Sequence, residues 1–446
     1  MVGGMRLATL LLALCTASAA HAQTPERGTR TEQNVIREGE LWLSPILRVR
    51  ERGEVRLSNY EYQLGLDEPV VDDFDRFRVE HRVWAGADAR WRMFRAVLVL
   101  RDARRFGETG ELASSTDLFQ AFGEVAFDEG WLRVGRQEIR WGHQRLIGAA
   151  PWGAGISFDA VRGRVDLGGL SFDAFGAWLL NQPTFVSSSL PPQEHPGRLL
   201  FGLRAQAVVS PALVLEPTVL YRYDGYAGAG LGGLGGLAGV GAVDPHLGTG
   251  AIRAHGVHGG FFYDVEAMAQ IGEKVEAGDI HLAFAGAGWA GYRFAGALGF
   301  ELRGGGSFGT GPGDDVDLFD NLFPANHARY GIIDYASLAN MGSAFLRVRV
   351  APQGTKLAVW LDAHGFALPE SQGPWRGQNG RLLGQSAANG EHLLGLELDL
   401  VANWRPSPAI SVQGGYSVFL PGPAAENLGH DELSQFFYLM LDLRLP

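Results

Sequence analysis

The sequence predicts an all-β fold, an 18-stranded antiparallel transmembrane β-barrel with short periplasmic turns and long extracellular loops. Three observations lead there. Segments of about ten residues alternate apolar with polar or small positions and hardly any stretch has a helical period. The connections between them alternate in length along the chain. Beyond position 22 no run of about 20 apolar residues could cross a bilayer as a helix, while 63 glycines and 11% aromatics fit a large sheet.

The opening residues read as an export signal over 1–22. Arg6 supplies positive charge, Leu7 to Ala17 is apolar but short, and Ala20-His21-Ala22 is a small-x-small cleavage site. Cys15 is the one cysteine, so the exported chain is expected to hold no disulfide, catalytic thiol or cysteine-bound metal. Residues 23–40 are expected to form a periplasmic N-terminal segment, and 41–446 the transmembrane barrel domain.

The alternation places the first nine strands at Leu41 to Gly53, Phe74 to Ala85, Trp91 to Arg101, Phe119 to Phe127, Trp131 to Arg140, Phe158 to Asp166, Leu170 to Leu180, Leu199 to Val209 and Leu213 to Arg222. The other nine are Thr249 to His258, Phe261 to Ile271, Ile280 to Phe294, Gly296 to Phe308, Ser343 to Val350, Lys356 to Phe366, Leu393 to Trp404, Ile410 to Phe419 and Gln435 to Leu445. Even-numbered connections are tight, as at Asp128-Glu129-Gly130, Gly259-Gly260 and Arg405 to Pro408. Odd-numbered ones are mostly long, as at Glu54 to Asp73, Asn181 to Arg198, Asp224 to Gly248 and Gly309 to Gly342. An even strand count with this asymmetry describes a bacterial outer-membrane barrel.

Face assignments follow from the period of two. Leu396, Leu398 and Leu400 oppose Glu397 and Asp399, so leucines are expected against lipid and acids in a watery lumen, where they need not be buried without partners. Trp42, Trp84, Trp178, Trp289, Trp404 and Phe419 are available for interfacial girdles.

Charge is distributed unevenly. The formal net charge is -11, which argues against nucleic acid as a partner. Yet 36 of the 38 basic residues are arginines, and 19 of these lie between Arg48 and Arg164. Arg48, Arg50 and Arg52 share a face on the first strand, and Arg76, Arg78, Glu80 and Arg82 on the second. Arg162 with Arg164, and Arg347 with Arg349, repeat the pattern. Lys356 has the parity of Asp362 on its own strand. Such a wall can conduct anions, or it can brace the barrel by pairing with Glu80, Glu124, Asp173, Glu301 and Asp399; the two roles can coexist.

Leu118-Phe-Gln-Ala-Phe122, Leu132-Arg-Val-Gly-Arg-Gln137, Trp141-Gly142, Arg145-Leu-Ile-Gly148, Trp152 and Phe158-Asp159 together resemble the first half of the alginate-export family of outer-membrane barrels. Phe319-Asp-Asn-Leu-Phe-Pro324, His327, Tyr330-Gly331 and Asp334 are similar to its long loop and return strand. Glu397-Leu-Asp-Leu400 and Gly415-Tyr-Ser-Val-Phe-Leu-Pro-Gly422 are similar to its closing strands. The resemblance runs from Leu41 to the end. It implies a bacterial outer-membrane location, a pore for anionic polysaccharide such as alginate, outer-membrane lipid around the barrel, and periplasmic export components as partners. Carried over by motif, Arg136 and Arg145 join Arg48, Arg50, Arg76, Arg78, Arg82, Arg162, Arg164, Arg347 and Arg349 on the substrate path. Arg136 shares the parity of the outward Leu132 and Val134, so it requires a bulge at Gly135 to face inward. The turn at Arg405 to Pro408 leaves no room for a periplasmic gating loop, and Pro446 replaces the usual terminal aromatic.

No catalytic residues, metal ligands or cofactor are expected. Gly228-Ala-Gly-Leu-Gly-Gly233 matches a dinucleotide pattern but lies in a glycine repeat running to Gly241 without a strand-to-helix context. Asp314, Asp315, Asp317 and Asp320 lack calcium-loop spacing, and His255 and His258 fall on opposite faces of one strand. Beside the reading as a channel for anionic polysaccharide or small anions stand two alternatives: a general diffusion porin, and an outer-membrane barrel enzyme acting at the external rim.

Overall fold

The computed structural model describes residues 36–63, 70–107, 113–153, 155–179, 198–224, 246–273, 280–327, 329–378 and 380–445. The expected signal segment 1–22, most of the expected periplasmic segment 23–40, most of the loop Asn181 to Arg198 and the glycine repeat ending at Gly241 lie outside them.

Eighteen strands form the wall. They are β1 (Leu41–Gln63), β2 (Val70–Trp91), β3 (Phe94–Phe106), β4 (Ala113–Phe127), β5 (Gly130–Gln137), β6 (Phe158–Leu167), β7 (Leu170–Trp178), β8 (Arg198–Ser210) and β9 (Leu213–Asp224). There follow β10 (His246–His258), β11 (Phe261–Glu273), β12 (Ile280–Arg293), β13 (Glu301–Gly309), β14 (Met341–Val350), β15 (Leu357–Ala367), β16 (Leu393–Ser407), β17 (Ile410–Pro421) and β18 (Ser434–Arg444). Each pairs antiparallel with the next, and β18 returns to β1 in a register from Arg48↔Arg444 to Leu57↔Gln435, closing the ring. Closure satisfies every strand edge, which a bilayer requires. A three-residue strand at 36–38 folds back on the start of β1, and a short helix, α1 (Pro423–Asn427), precedes β18.

Alternation sorts side chains as expected. Leu396, Leu398 and Leu400 are 52, 43 and 50% exposed, whereas Glu397 and Asp399 between them are fully buried inside. Left in water, each such leucine would forfeit roughly 1.5–3 kcal/mol of burial; hydrocarbon removes that cost. Trp42, Trp178 and Trp404 lie outward near strand ends, as a girdle requires. Trp84 and Phe419 instead are buried inside and Trp289 lines the lumen. They share the parity of inward charges, and Trp84 carries Arg48 and Arg50 over its ring at 5.0 and 5.7 Å.

Several boundaries differ from expectation, each for a local reason. The expected loop Glu54 to Asp73 is mostly strand, and only residues 64–69 separate β1 from β2. A bulge hides the continuation: the register shifts between Arg56 and Asn59, and Ser58 takes φ +49°. Likewise β4 starts at Ala113 rather than Phe119, across a register shift at Val99/Leu100. β5 ends at Gln137 rather than Arg140. The strand expected from Gly296 starts at Glu301, because residues 294–300 form the turn. Lys356 has left the strand: it adopts φ +56° and its Nζ donates to the Pro406 carbonyl at 2.6 Å.

The turn-and-loop asymmetry fixes orientation. A cysteine replacing exposed Ala388, between β15 and β16, is expected to react with an impermeant maleimide on intact cells. One replacing Gln353, in the turn before β15, is expected to react only after the outer membrane is permeabilised. The opposite pattern would invert the barrel.

Candidate functional site

The lumen is built on the β1–β2 wall, where register decides what each charge meets. Arg50 lies opposite Arg82, Arg52 opposite Glu80, Glu54 opposite Arg78, and Arg56 opposite Arg76. Two crossed arginine–glutamate pairs thus sit between two arginine–arginine pairs. Arg52 bridges Glu54 at 2.5 Å and Glu80 at 2.6 Å, and Arg78 reaches Glu54 at 2.5 Å. Arg82 also binds Glu80. Without the two glutamates this face would hold only like charges in a partly dehydrated wall.

Two of the connections that fold inward carry the contacts to this wall. Residues 138–157, between β5 and β6, present the carbonyls of Pro151, Trp152 and Gly153 to this wall. Arg50 donates to Pro151 at 2.6 Å, Arg52 to Trp152 at 2.8 Å, and Arg82 to Trp152 at 3.1 Å and to Gly153. The Arg52 guanidinium stacks 3.8 Å over the Trp152 ring. At its other end the same segment extends Arg145 into a cluster on β10 and β11. Arg145 donates to Glu266 at 2.8 Å and reaches Asp264 at 3.5 Å; Arg253 binds Asp264 and, at 2.5 Å, Glu216. Since β1 and β10 are nine strands apart in a ring of eighteen, this segment is a strut across the full bore.

The strut is joined to the second inward segment, residues 310–340. Ile147 bridges Phe323, with Gly148 N–H donating to Phe323 and Phe323 N–H to Leu146, both at 2.9 Å. Trp152 stacks on His327 at 3.7 Å, and His327 contacts Asp334 at 2.7 Å. Gly331 takes φ +79°, and a Cβ there would lie 2.4 Å from the Glu397 carboxylate. That space lets Glu397 accept from Ile332 and Ile333 N–H at 2.7 and 2.9 Å. The apolar side of the two segments packs with Leu368 to Leu383 and α1 into one core inside the barrel, centred on Tyr60, Tyr335, Trp375 and Phe419.

What remains is a cavity of about 2710 Å³, lined among the described residues by 25 arginines and one lysine against eight carboxylates. The bias arises from side-chain length. Arg133, Arg162 and Arg347 line the cavity while their partners Glu124, Asp173 and Asp362 do not. A positive field is therefore presented to the lumen by a chain of negative net charge. His143 on the strut registers it. Burial, then the guanidiniums of Arg329, Arg145, Arg253 and Arg303, hold its imidazole well below the ordinary histidine range.

Ten of the eleven expected path residues, Arg48, Arg50, Arg76, Arg78, Arg136, Arg145, Arg162, Arg164, Arg347 and Arg349, line this cavity; Arg82 does not, because its guanidinium is taken up by Glu80 and the strut carbonyls. They are not equivalent. Arg50, Arg82 and Arg145 hold the strut. Arg48 grips Asp442 through two nitrogens, Arg162 pairs with Asp173 at 2.5 Å, Arg347 with Asp362, and Arg164 with Asp166 at 2.8 Å. Arg349 has no carboxylate partner among the described residues. Arg136 reaches the cavity without the expected bulge: β5 pairs continuously through Gly135, which takes φ +123°, and Arg136 binds Asp159 at 2.6 Å. Sequence reasoning missed Arg133, Arg204, Arg253 and Arg303. Their own strands' parity carried the signal, but each stands as a lone arginine rather than in a run.

The chain matches the alginate export family over residues 42–438. No curated protein matches it. Among solved structures it is similar to Pseudomonas aeruginosa OccK2 (OpdF), solved in complex with glucuronate, with a TM-score of 0.57, 10% identity, and 90% of this chain and 98% of that one covered. OccK5 (OpdH) of the same organism gives 0.56, 11%, 90% and 98%, and its OprD gives 0.55, 12%, 90% and 95%. At these identities the likeness is one of fold. The closed barrel, its lipid-facing leucines and the match over nearly its whole length establish the chain as a member of the alginate export family and an outer-membrane channel.

Proposed function

We propose that the channel conducts carboxylate-bearing solutes, uronate chains or small organic anions, through its arginine-lined lumen. The excess of arginine over carboxylate on the cavity surface carries this reading. Guanidinium forks bind carboxylates in two-point geometry, and a polyanion can step between closely spaced sites without being trapped at one. Arg303, Arg349 and Arg405 stand at the turn end of the lumen beside Lys356, where a solute arriving from the periplasm meets the field first. Family membership favours a uronate polymer, and OccK2 has been solved with a monomeric uronate. The strut favours small anions as a second reading, because it divides the bore from wall to wall.

Planar-bilayer recordings of the full barrel decide. Anion preference in a salt gradient is the expected result, with oligouronates blocking the current at low salt and less at high salt, as screening shortens to about 8 Å or below. Cation preference would reject the proposal. Block by oligouronates of every length would support the polymer; block by mono- and disaccharides only would support small anions.

A further inference from the structure

One buried cluster holds more polar groups than the contacts described above satisfy. On the inner face of the adjacent strands β15 and β16, Asp362 lies in register with Asp399, and His364 with Glu397. These positions are two apart on each strand, so all four side chains converge in one block. Asp362, His364 and Asp399 each offer a ligand atom within 4.8 Å of the other two. His364 is 4% exposed, and its Nε2 has no hydrogen-bond partner while lying 3.6 Å from Asp399 Oδ2. Asp399 Oδ2 and Glu397 Oε2 are also buried without a donor.

The other oxygens are already held. Ser417 donates to Asp399 Oδ1 and Ile332 and Ile333 donate to Glu397 Oε1, while Arg347 binds both oxygens of Asp362, so that an ion would share one of them with the guanidinium. Such outer contacts orient ligands toward a common centre. Of the guanidiniums nearby among the described residues, only Arg347 is ion-paired to these three buried carboxylates, and a dication would add positive charge where it is short. In a tetrahedral site with bonds of about 2.0–2.2 Å, donor atoms stand about 3.3–3.6 Å apart, which matches the His364–Asp399 separation of 3.6 Å. An imidazole among oxygen donors suits zinc-like ions better than calcium or magnesium.

We propose that Asp362, His364 and Asp399, with Glu397 alongside, bind a first-row divalent cation of the zinc class. His364 also lines the main cavity, so the ion reaches the cluster from the lumen. Through Glu397 it fastens the inward segment 310–340 to the barrel wall. The site is independent of the transported solute.

The test uses the full barrel in detergent, stripped with a chelator, exposed to Zn2+ and dialysed, with metal measured by plasma mass spectrometry. One retained zinc per chain and a higher temperature for the heat-modifiable gel shift are expected. His364→Gln and Asp399→Asn are each expected to lower zinc to background, while His255→Gln, at another lumen histidine, retains it. Absence of zinc in the wild type, or its retention in both cluster variants, would overturn the site and leave the carboxylates sharing a proton. Should a variant fail to fold, Co2+ bound to the wild type decides: a visible spectrum typical of nitrogen and oxygen ligands supports the site, and its absence rejects it.

Discussion

Arg52→Met should lower the unfolding stability of the barrel by about 3 kcal/mol, the lower end of the loss seen when one partner of a buried ion pair is removed. Arg52 is 1% exposed and contacts Glu54, Glu80, the Trp152 carbonyl and the Trp152 ring together. Methionine retains the apolar stem and removes every one of these polar contacts. Arg78 and Arg82 remain beside the glutamates, which places the loss at the lower end. Because Arg52 also holds the strut, noisier open-channel current should accompany the lost stability. Urea midpoints in detergent and single-channel traces are the measurements, with Arg104→Met as control, since Arg104 pairs with Asp102 on the exposed surface. Equal midpoints for the two variants would show that the strut is held elsewhere.

The barrel was legible in the sequence because strand period and turn chemistry are local. Leu396 to Leu400 assign two faces without reference to any other strand, and Gly259-Gly260 marks a turn unaided. What happens inside the barrel depends on partners far away in the chain. Nothing near Arg145 shows that it will meet Asp264 and Glu266, and nothing near Trp152 shows that three arginines of β1 and β2 will bind the carbonyls around it. The tight turn at Arg405 and the long connections were visible, yet an inward-folded segment and an outward one have the same length and polarity. The cluster at Asp362, His364, Glu397 and Asp399 illustrates the boundary. Each strand shows its pair of inward groups, but only the register of β15 on β16 brings the pairs together. Ser58 shows a further limit, for a single bulge interrupts the alternation and makes strand look like loop.

Replacing Arg303, Arg349 and Arg405 together by glutamate should reduce the anion-to-cation permeability ratio several-fold while preserving the barrel. These three line the cavity at its turn end, and none has a carboxylate partner among the described residues. Arg303 lies over Trp289 at 4.9 Å, a contact whose loss is small beside that of an ion pair. Their removal therefore leaves the pairs that hold the strut and the walls in place. The substitution changes the formal charge near the mouth by about six units, which reverses the local field that a permeating ion meets. Oligouronate block should weaken in parallel, and its dependence on salt should flatten because fewer long-range attractions remain to be screened. Arg104→Glu, outside the lumen, should alter neither quantity. An unchanged permeability ratio in the triple variant would assign selectivity to the paired arginines deeper in the lumen. An unchanged block would show that uronates bind there and not at the mouth.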